Sequence, residues 1–337
     1  MIIIYYFFVA LKEGMLEDKD IQKVAIVVPR QFYDQAYNFW RKCREIAPSL
    51  NVHLSDPFWL QIPDSNVTTY TSAIERKVYQ KAPNLVVTFI PKVADEMYAA
   101  LKKLMLIKCP MINQLITAHR ILGKPDKYAS FATKIVVQMA AKLGAKPWAV
   151  QIPPKNVMVA GFDTYHKKYG DHHEKSFGAF AASLDPAFGR YFSQCLPHRA
   201  GEEISPNIAT MFTGGLWAYQ QVNGNFPKKV IFYRDGVGEG QLEEVKETEI
   251  KAIKAVLASL QEDIKLTFII VSKRINTRFF TATSPSQNPP SGTVVDDVAT
   301  LPERCDFCLP FFKKFQFFSI VINFMNELHR ITILFEW

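Results

Sequence analysis

Short apolar runs alternate along this chain with stretches in which apolar residues recur every three or four positions. KVAIVV at 23–28 and LVVTFI at 85–90 stack β-branched residues without helical spacing, which predicts strands buried on both faces. FYDQAYNFWRKCREI around 32–46, closed by Pro48, predicts an amphipathic helix, as do residues 69–81 and ADEMYAALKKLML from Ala94. NVHLS at 51–55 predicts a short strand. SFATKIVVQMAAKLG predicts a further helix with Gly144 at its C-terminal cap, and WAVQIP at 148–153 a return to strand. Such alternation builds a parallel α/β sheet covered by helices, closing near Pro153–Pro154.

A second region starts with NVMVAGFDTYH at 156–166. FGAFAASLD and RYFSQCL predict two more strands, and residues 207–223 a helix despite the internal Gly214–Gly215 pair. KKVIFYRDGV predicts a strand entering a tight turn. Residues 241–260 predict a long helix with solvated carboxylates in its first half and Lys251 and Lys254 beyond, which suits the helix dipole. IKLTFIIVSKR predicts a strand, TATSPSQNPPSGT a loop and TVVDDVA one more strand. Three hairpin-like strands, a helix, then two strands with a helix between them is the order of a mixed-sheet nuclease core.

Both ends are apolar. The opening MIIIYYFFVALKEGM stops at Lys12 and Glu13, short of the ~20 residues of a membrane span. It lacks the basic start and cleavage signal of a secretory leader, and reads as a strand or linker left from an upstream domain. The Phe-rich stretch from Pro310 is interrupted by Lys313, Lys314, Gln316, Asn323 and Glu327, which argues against a span there too.

Composition narrows the class. A chain of 337 residues suffices for two domains, and 48% hydrophobic against 21% charged residues suits folded material. The formal charge of +8 favours a polyanionic partner without choosing among nucleic acid, lipid and phosphorylated protein. Five cysteines are too few and scattered for a disulfide framework; Cys305 and Cys308 form a C-x-x-C pair with no second pair to complete a zinc site. No dinucleotide or Walker glycine pattern opens a helix, which sets nucleotide-metabolising enzymes aside.

Two carboxylates stand out. Asp163 interrupts an apolar strand and Asp235 ends one, and burying such groups is costly without a cation. On adjacent strands they would share divalent magnesium or manganese, which suit all-oxygen donors. The plain alternative is a strand-end Asp163 and an Asp235 that opens the RDG turn. Glu203, in a loop before the helix, is a third candidate ligand; Glu202 is equally eligible, and a solvated loop acid accounts for either. Lys273, Arg274 and Arg278 follow an apolar strand, where they either hold a polyanion or occupy an exposed turn. In the first region Tyr98 and Lys102 share a helical face, Gln114 follows, and Lys142 lies on the last turn of another helix. A tyrosine and two lysines offer stacking and charge to a nucleotide, though scattered residues of these types are common.

GFDTYH, RYFSQC, VIFYRDGVGEGQL, SKRINTRFF and NPPSGTVVDDVATLPERCDF, in this order, resemble successive blocks of the Piwi branch of the Argonaute family, over roughly residues 17–309. The resemblance implies a Rossmann-like MID domain at 17–154 and a truncated RNase H-like PIWI domain with a mixed sheet at 155–309. A remnant at 1–16 would precede them and a divergent apolar tail at 310–337 follow. It implies that Tyr98, Lys102, Gln114 and Lys142 grip the 5′-phosphate and first base of a small guide RNA, with spacings of four and then twelve residues between the first three. It further implies that Asp163, Glu203 and Asp235 are catalytic, with Asp163 and Asp235 holding magnesium or manganese, the guide paired to a complementary target RNA. Silencing cofactors, and action in cytoplasm, germ granules or nucleus, belong to the same expectation.

The departures matter as well. Cys305 and Cys308 replace aromatic residues, Lys167 replaces an acid, and the loop after Tyr165 looks long. Past Pro310 the resemblance stops, no PAZ domain precedes the match, and none of His166, His172, His173 and His329 matches the family's final catalytic histidine. Three readings therefore stand: guide binding with impaired cleavage, an active metal-dependent RNA endonuclease, and a protein-interaction module or truncated product.

Overall fold

The computed structural model describes all residues except 1–13, 93, 122–127, 150–154, 170–171, 200–201, 273–276, 283–288, 291–292, 298–299, 301–304, 311–327 and 337. The opening apolar run, the TSPSQN part of the Ser/Pro loop and most of the tail lie outside the described residues. The chain divides into two compact units, Ile2–Ala149 and Val150–Trp337.

In the first unit, β1 (Val24–Pro29), β2 (Phe58–Ile62), β3 (Leu85–Ile90) and β4 (Asn113–Thr117) form an all-parallel sheet in the order β2-β1-β3-β4. Both faces are covered, which is why β1 and β3 read as continuous apolar runs. Val24, Ile26 and Val28 face the core built by α1 (Tyr33–Ile46), while Ala25 and Val27 face the opposite core behind α2 (Val67–Ala73) and α3 (Asp95–Lys103). The last helix, α4 (Tyr128–Lys142), packs with α1, and Gly144 beyond it adopts φ 103°, as a C-terminal cap requires. The second strand is not NVHLS: Leu54 makes only one bridge, to Ile21, and the strand falls at Phe58–Ile62. β4 has no apolar signature because it opens on buried Asn113 and Gln114. Trp148 and Ala149 are irregular, and the rest of WAVQIP lies outside the described residues.

The second unit holds a seven-stranded mixed sheet in the order β10-β11-β9-β8-β5-β6-β7. β5 (Val157–Tyr169), β6 (His172–Ser183) and β7 (Tyr191–His198) are antiparallel neighbours, and β8 (Lys229–Asp235) and β9 (Lys265–Ser272) extend the sheet parallel to β5. α5 (Ile208–Asn223) and α6 (Lys251–Ser259) cover one face with a core in which Phe232 stacks on Phe268 at 4.9 Å. The paired glycines of α5 are a packing device. A Cβ on Gly215 would lie 2.8 Å from the Phe180 ring, and one on Gly214 3.0 Å from Phe192. The described part of TVVDDVA, residues 293–297, does not form a strand; Val295 makes a single bridge to Cys308 of β10 (Cys305–Pro310). The backbone of β11 (Leu328–Glu336), from the apolar tail, pairs between β10 and β9. This is the α/β architecture expected, a Rossmann-like sheet followed by an RNase H-like mixed sheet. Among the described residues no helix is long and apolar enough to cross a membrane.

Candidate functional site

Parallel pairing of β5 with β8 places Phe162 opposite Arg234, so Asp163 and Asp235 are the next residues along two neighbouring strands. Their backbones then diverge: β5 continues to Tyr169, while β8 ends at Asp235 and the chain turns at Gly236, φ 87°. A Cβ on Gly236 would lie 3.0 Å from Glu203 Oε1 and 3.4 Å from Asp163 Oδ1, so these two carboxylates converge over the turn. Only glycine leaves them that space. Asp163 Oδ1 accepts the Thr164 N–H and Asp235 Oδ1 the Gly236 N–H, each at 2.8 Å.

Glu203 is clamped, not solvated. Arg234 Nη1 donates to its Oε1 at 3.0 Å and Arg234 Nη2 to its carbonyl at 2.8 Å. The Thr164 hydroxyl donates to the same carbonyl at 2.9 Å. His166 Nε2 meets Glu203 Oε2 at 2.7 Å, with His166 Nδ1 on Ser176 Oγ at 2.7 Å. Glu202, the other eligible acid, pairs with exposed Arg199 at 3.6 Å, while its carbonyl meets His198 Nε2 at 2.9 Å.

Arg234 is fully buried and lies over the Phe162 ring, 4.9 Å from its centroid. Its Nε donates to Glu249 Oε2 at 2.8 Å, and Glu249 Oε1 also accepts the Ser205 N–H at 3.1 Å. Glu243, Glu244 and Glu247 are exposed as expected, but Glu249 is only 1% exposed, a correction at that one position of the 241–260 helix. Burial alone would lower the pKa of Arg234, but Glu249 and then Glu203 outweigh it and hold the guanidinium more firmly charged than usual. Sequence reasoning missed Arg234, Glu249 and Thr164, and left His166 without a role. The one available signal was an arginine facing inward in an alternating strand.

The donor chemistry of Asp163 and Asp235 suits magnesium or manganese. Yet among the described residues no three His, Cys, Asp or Glu side chains gather closely enough to hold an ion. Glu203 Oε1 and Oε2 already hydrogen-bond Arg234 and His166. The described residues do not complete a metal site.

The first unit presents the opposite electrostatics. Tyr98 and Lys102 project from α3, Asn113 and Gln114 open β4, and Lys142 ends α4. Lys102 Nζ donates to Asn113 Oδ1 at 2.7 Å; Lys142 Nζ donates to the Asn113 carbonyl and to Gln114 Oε1, both at 2.8 Å. Gln114 Nε2 is anchored on Gln138 Oε1 at 3.2 Å, and Asn113 Nδ2 on the Met111 carbonyl at 3.0 Å. Tyr98 is 46% exposed, and Lys102 Nζ lies 5.6 Å from its ring centroid. Burial lowers the Lys102 pKa, and burial together with the Lys102 charge pushes Lys142 down to about 8. All four expected residues are thus brought together, with Asn113 and Gln138 as supports that a polar strand start concealed. Arg278 is exposed, its Nη1 on the Thr277 carbonyl at 2.9 Å, while Lys273 and Arg274 lie outside the described residues.

Comparison with known proteins accords with this architecture. The family described as Piwi domain matches residues 85–316. The chain is 37% identical over 306 residues to Protein aubergine of Drosophila melanogaster, covering 88% of this chain and 35% of that protein. It is 40% identical over 243 residues to Piwi-like protein Siwi of Bombyx mori, covering 71% of this chain and 27% of that protein. It therefore spans about a third of the length of these curated relatives. The crystal structure of Drosophila Piwi superposes with a TM-score of 0.81 at 27% identity, over 97% of this chain and 44% of that one. The C-terminal lobe of a budding yeast Argonaute shares the fold, with a TM-score of 0.79 at 19% identity over 96% of this chain and 71% of that one. With the family match extending over most of its length and the same two-sheet architecture, this chain belongs to the Piwi/Argonaute family.

Proposed function

We propose that this chain binds the 5′-phosphorylated end of a small guide RNA for RNA-mediated silencing, through a MID domain at 17–154 followed by a PIWI domain at 155–309. The observation that carries the reading is the convergence of Lys102 and Lys142 on the Asn113–Gln114 step. Burial first, and the neighbouring Lys102 charge second, disfavour the Lys142 ammonium and lower its pKa. A phosphate would neutralise both and accept charge-assisted hydrogen bonds. The Tyr98 ring offers a face on which the first base stacks. Complementary target RNA, silencing cofactors, and action in cytoplasm or germ granules or in the nucleus, belong to the same proposal.

Cleavage is weak in this reading, since Glu203 is held by Arg234 and His166. A second reading, a magnesium- or manganese-dependent RNA endonuclease, is favoured by the approach of Asp163 and Glu203 over Gly236. Asp163 and Asp235 would then hold the ion, whose chemistry is to activate water and offset charge on a phosphate. Fluorescence anisotropy with matched 5′-phosphorylated and 5′-hydroxyl small RNAs tests the first reading, and equal affinity would end it. Guide-directed cleavage in magnesium that is lost in Asp163→Asn or Asp235→Asn would install the second.

A further inference from the structure

One edge of the first unit's sheet carries a feature that guide binding does not use. β2 is an edge strand, bonded to β1 on one side, and no described strand lies on its other side. An edge strand leaves half its backbone donors and acceptors open to another chain. The surroundings of β2 differ on its two faces. On one, Trp59 packs with Tyr33 and Tyr37 at centroid distances of 5.4 and 5.9 Å, and Tyr37 is half exposed. On the other, Leu60, Ile62 and α2 border an open groove of about 420 Å³.

The groove wall is chemically graded. Thr68, Ser72 and Arg76 recur every four residues along α2 and its continuation, which puts two hydroxyls and a guanidinium in one row beside the strand. Lys77 stands next to Arg76, and Lys81 lies over the exposed Phe58 ring at 4.3 Å from its centroid. Arg76 and Lys77 are exposed and are not ion-paired among the described residues. The nearby acid Asp64 is occupied by the Asn66 N–H at 2.9 Å, and Glu75 is exposed beside Arg76.

We propose that the free edge of β2 docks an extended acidic peptide as an added strand, with alternate residues facing the Tyr33–Tyr37–Trp59 rings and the Arg76–Lys77 groove. Main-chain bonds to β2 supply affinity, and the two unlike faces supply a period-two specificity: apolar residues toward the rings, acidic ones toward the cations. A peptide fits better than RNA. Leu60, Ile62, Pro63 and Ala73 give the groove an apolar share, and its two cations are sequence neighbours, Arg76 and Lys77, instead of a row that tracks a phosphate backbone.

The test uses the whole chain and a fluorescent peptide in which valine and glutamate alternate. Two controls have the same composition, one with the residues in blocks and one N-methylated at alternate amides. Saturable binding of the alternating peptide, about tenfold or more tighter than either control, is expected. Hydrogen-exchange protection should appear at Phe58–Ile62. Arg76→Glu with Lys77→Glu, both on the surface, should weaken binding about tenfold or more. Equal affinity for the block peptide, protection elsewhere, or displacement of the peptide by single-stranded RNA would overturn the assignment. The N-methylated control reads the unaltered protein, so the outcome does not depend on a variant folding. Guide binding is measured separately and its failure would leave this result standing.

Discussion

The two charged regions are built on opposite principles. At the carboxyl end of β8, carboxylates are gathered around an internal cation: Glu203 and Glu249 share the buried Arg234, and His166 meets the other side of Glu203. At the start of β4, like charges are gathered with only neutral amides between them, Asn113 and Gln114. The first arrangement is self-satisfied, and removing a partner damages the fold. The second is electrostatically open, and adding an anion relieves it. Among the described residues the acidic cluster thus carries an internal cation, while the two lysines meet only neutral groups.

The sharpest way to break that contrast is at Arg234. Arg234→Met leaves Glu249 buried without its cation, and should cost about 3–5 kcal/mol in denaturant unfolding. A loss below about 1 kcal/mol would show that the acidic end does not depend on its internal counter-ion. Asn113→Ala comes next. It removes the acceptor of Lys102 and the donor to Met111, and should cost about 1–3 kcal/mol while weakening binding of 5′-phosphorylated RNA; unchanged affinity would show that the amide does not organise the pocket.

Titration sharpens the same contrast. Lys142 has its pKa lowered on folding to about 8, so below that pH it is charged in both states and folding bears the full penalty. The penalty fades as pH rises from about 8 toward the ordinary lysine value, so Lys142's contribution to stability improves in that window. Ligand binding runs the other way. The preference for 5′-phosphorylated over 5′-hydroxyl RNA should fall between about pH 7 and pH 9 as the ammonium is lost, and a preference flat across that range would show that Lys142 does not hold the phosphate. The smallest effect is expected at Gly215. Gly215→Ala gains helix propensity but presses on Phe180 at 2.8 Å, for a net loss of about 1 kcal/mol in thermal unfolding. A stabilised variant would show that the α5–β6 contact has slack.

Much of this was legible in the sequence, for reasons tied to particular residues. β1 and β3 announce themselves because both faces are covered, and Asp163 and Asp235 because carboxylates are conspicuous in apolar strands. For Tyr98, Lys102, Gln114 and Lys142, spacing alone left the pocket open, and only the family resemblance implied it. Arg234 and Glu249 were hidden because each looks solvated locally: an arginine before an Asp–Gly turn, a glutamate in a glutamate-rich helix. Their burial arises from pairing across fifteen residues of chain, which no local pattern encodes. β4 was hidden by the same polar residues that accept from Lys102 and Lys142, and β2 was misplaced because NVHLS has a better strand pattern than the exposed-edge FWLQI.

The most direct measurement is a cycle that crosses the RNA's 5′-phosphate with Lys142. Affinities are determined for phosphorylated and hydroxyl RNA on the unaltered chain and on Lys142→Ala. The phosphate should strengthen binding to the unaltered chain about 10- to 100-fold, and the gain should largely vanish in the variant, with hydroxyl RNA little affected. The same phosphate gain in both proteins would contradict the account, since the basic pocket would then not be where the strand end is held.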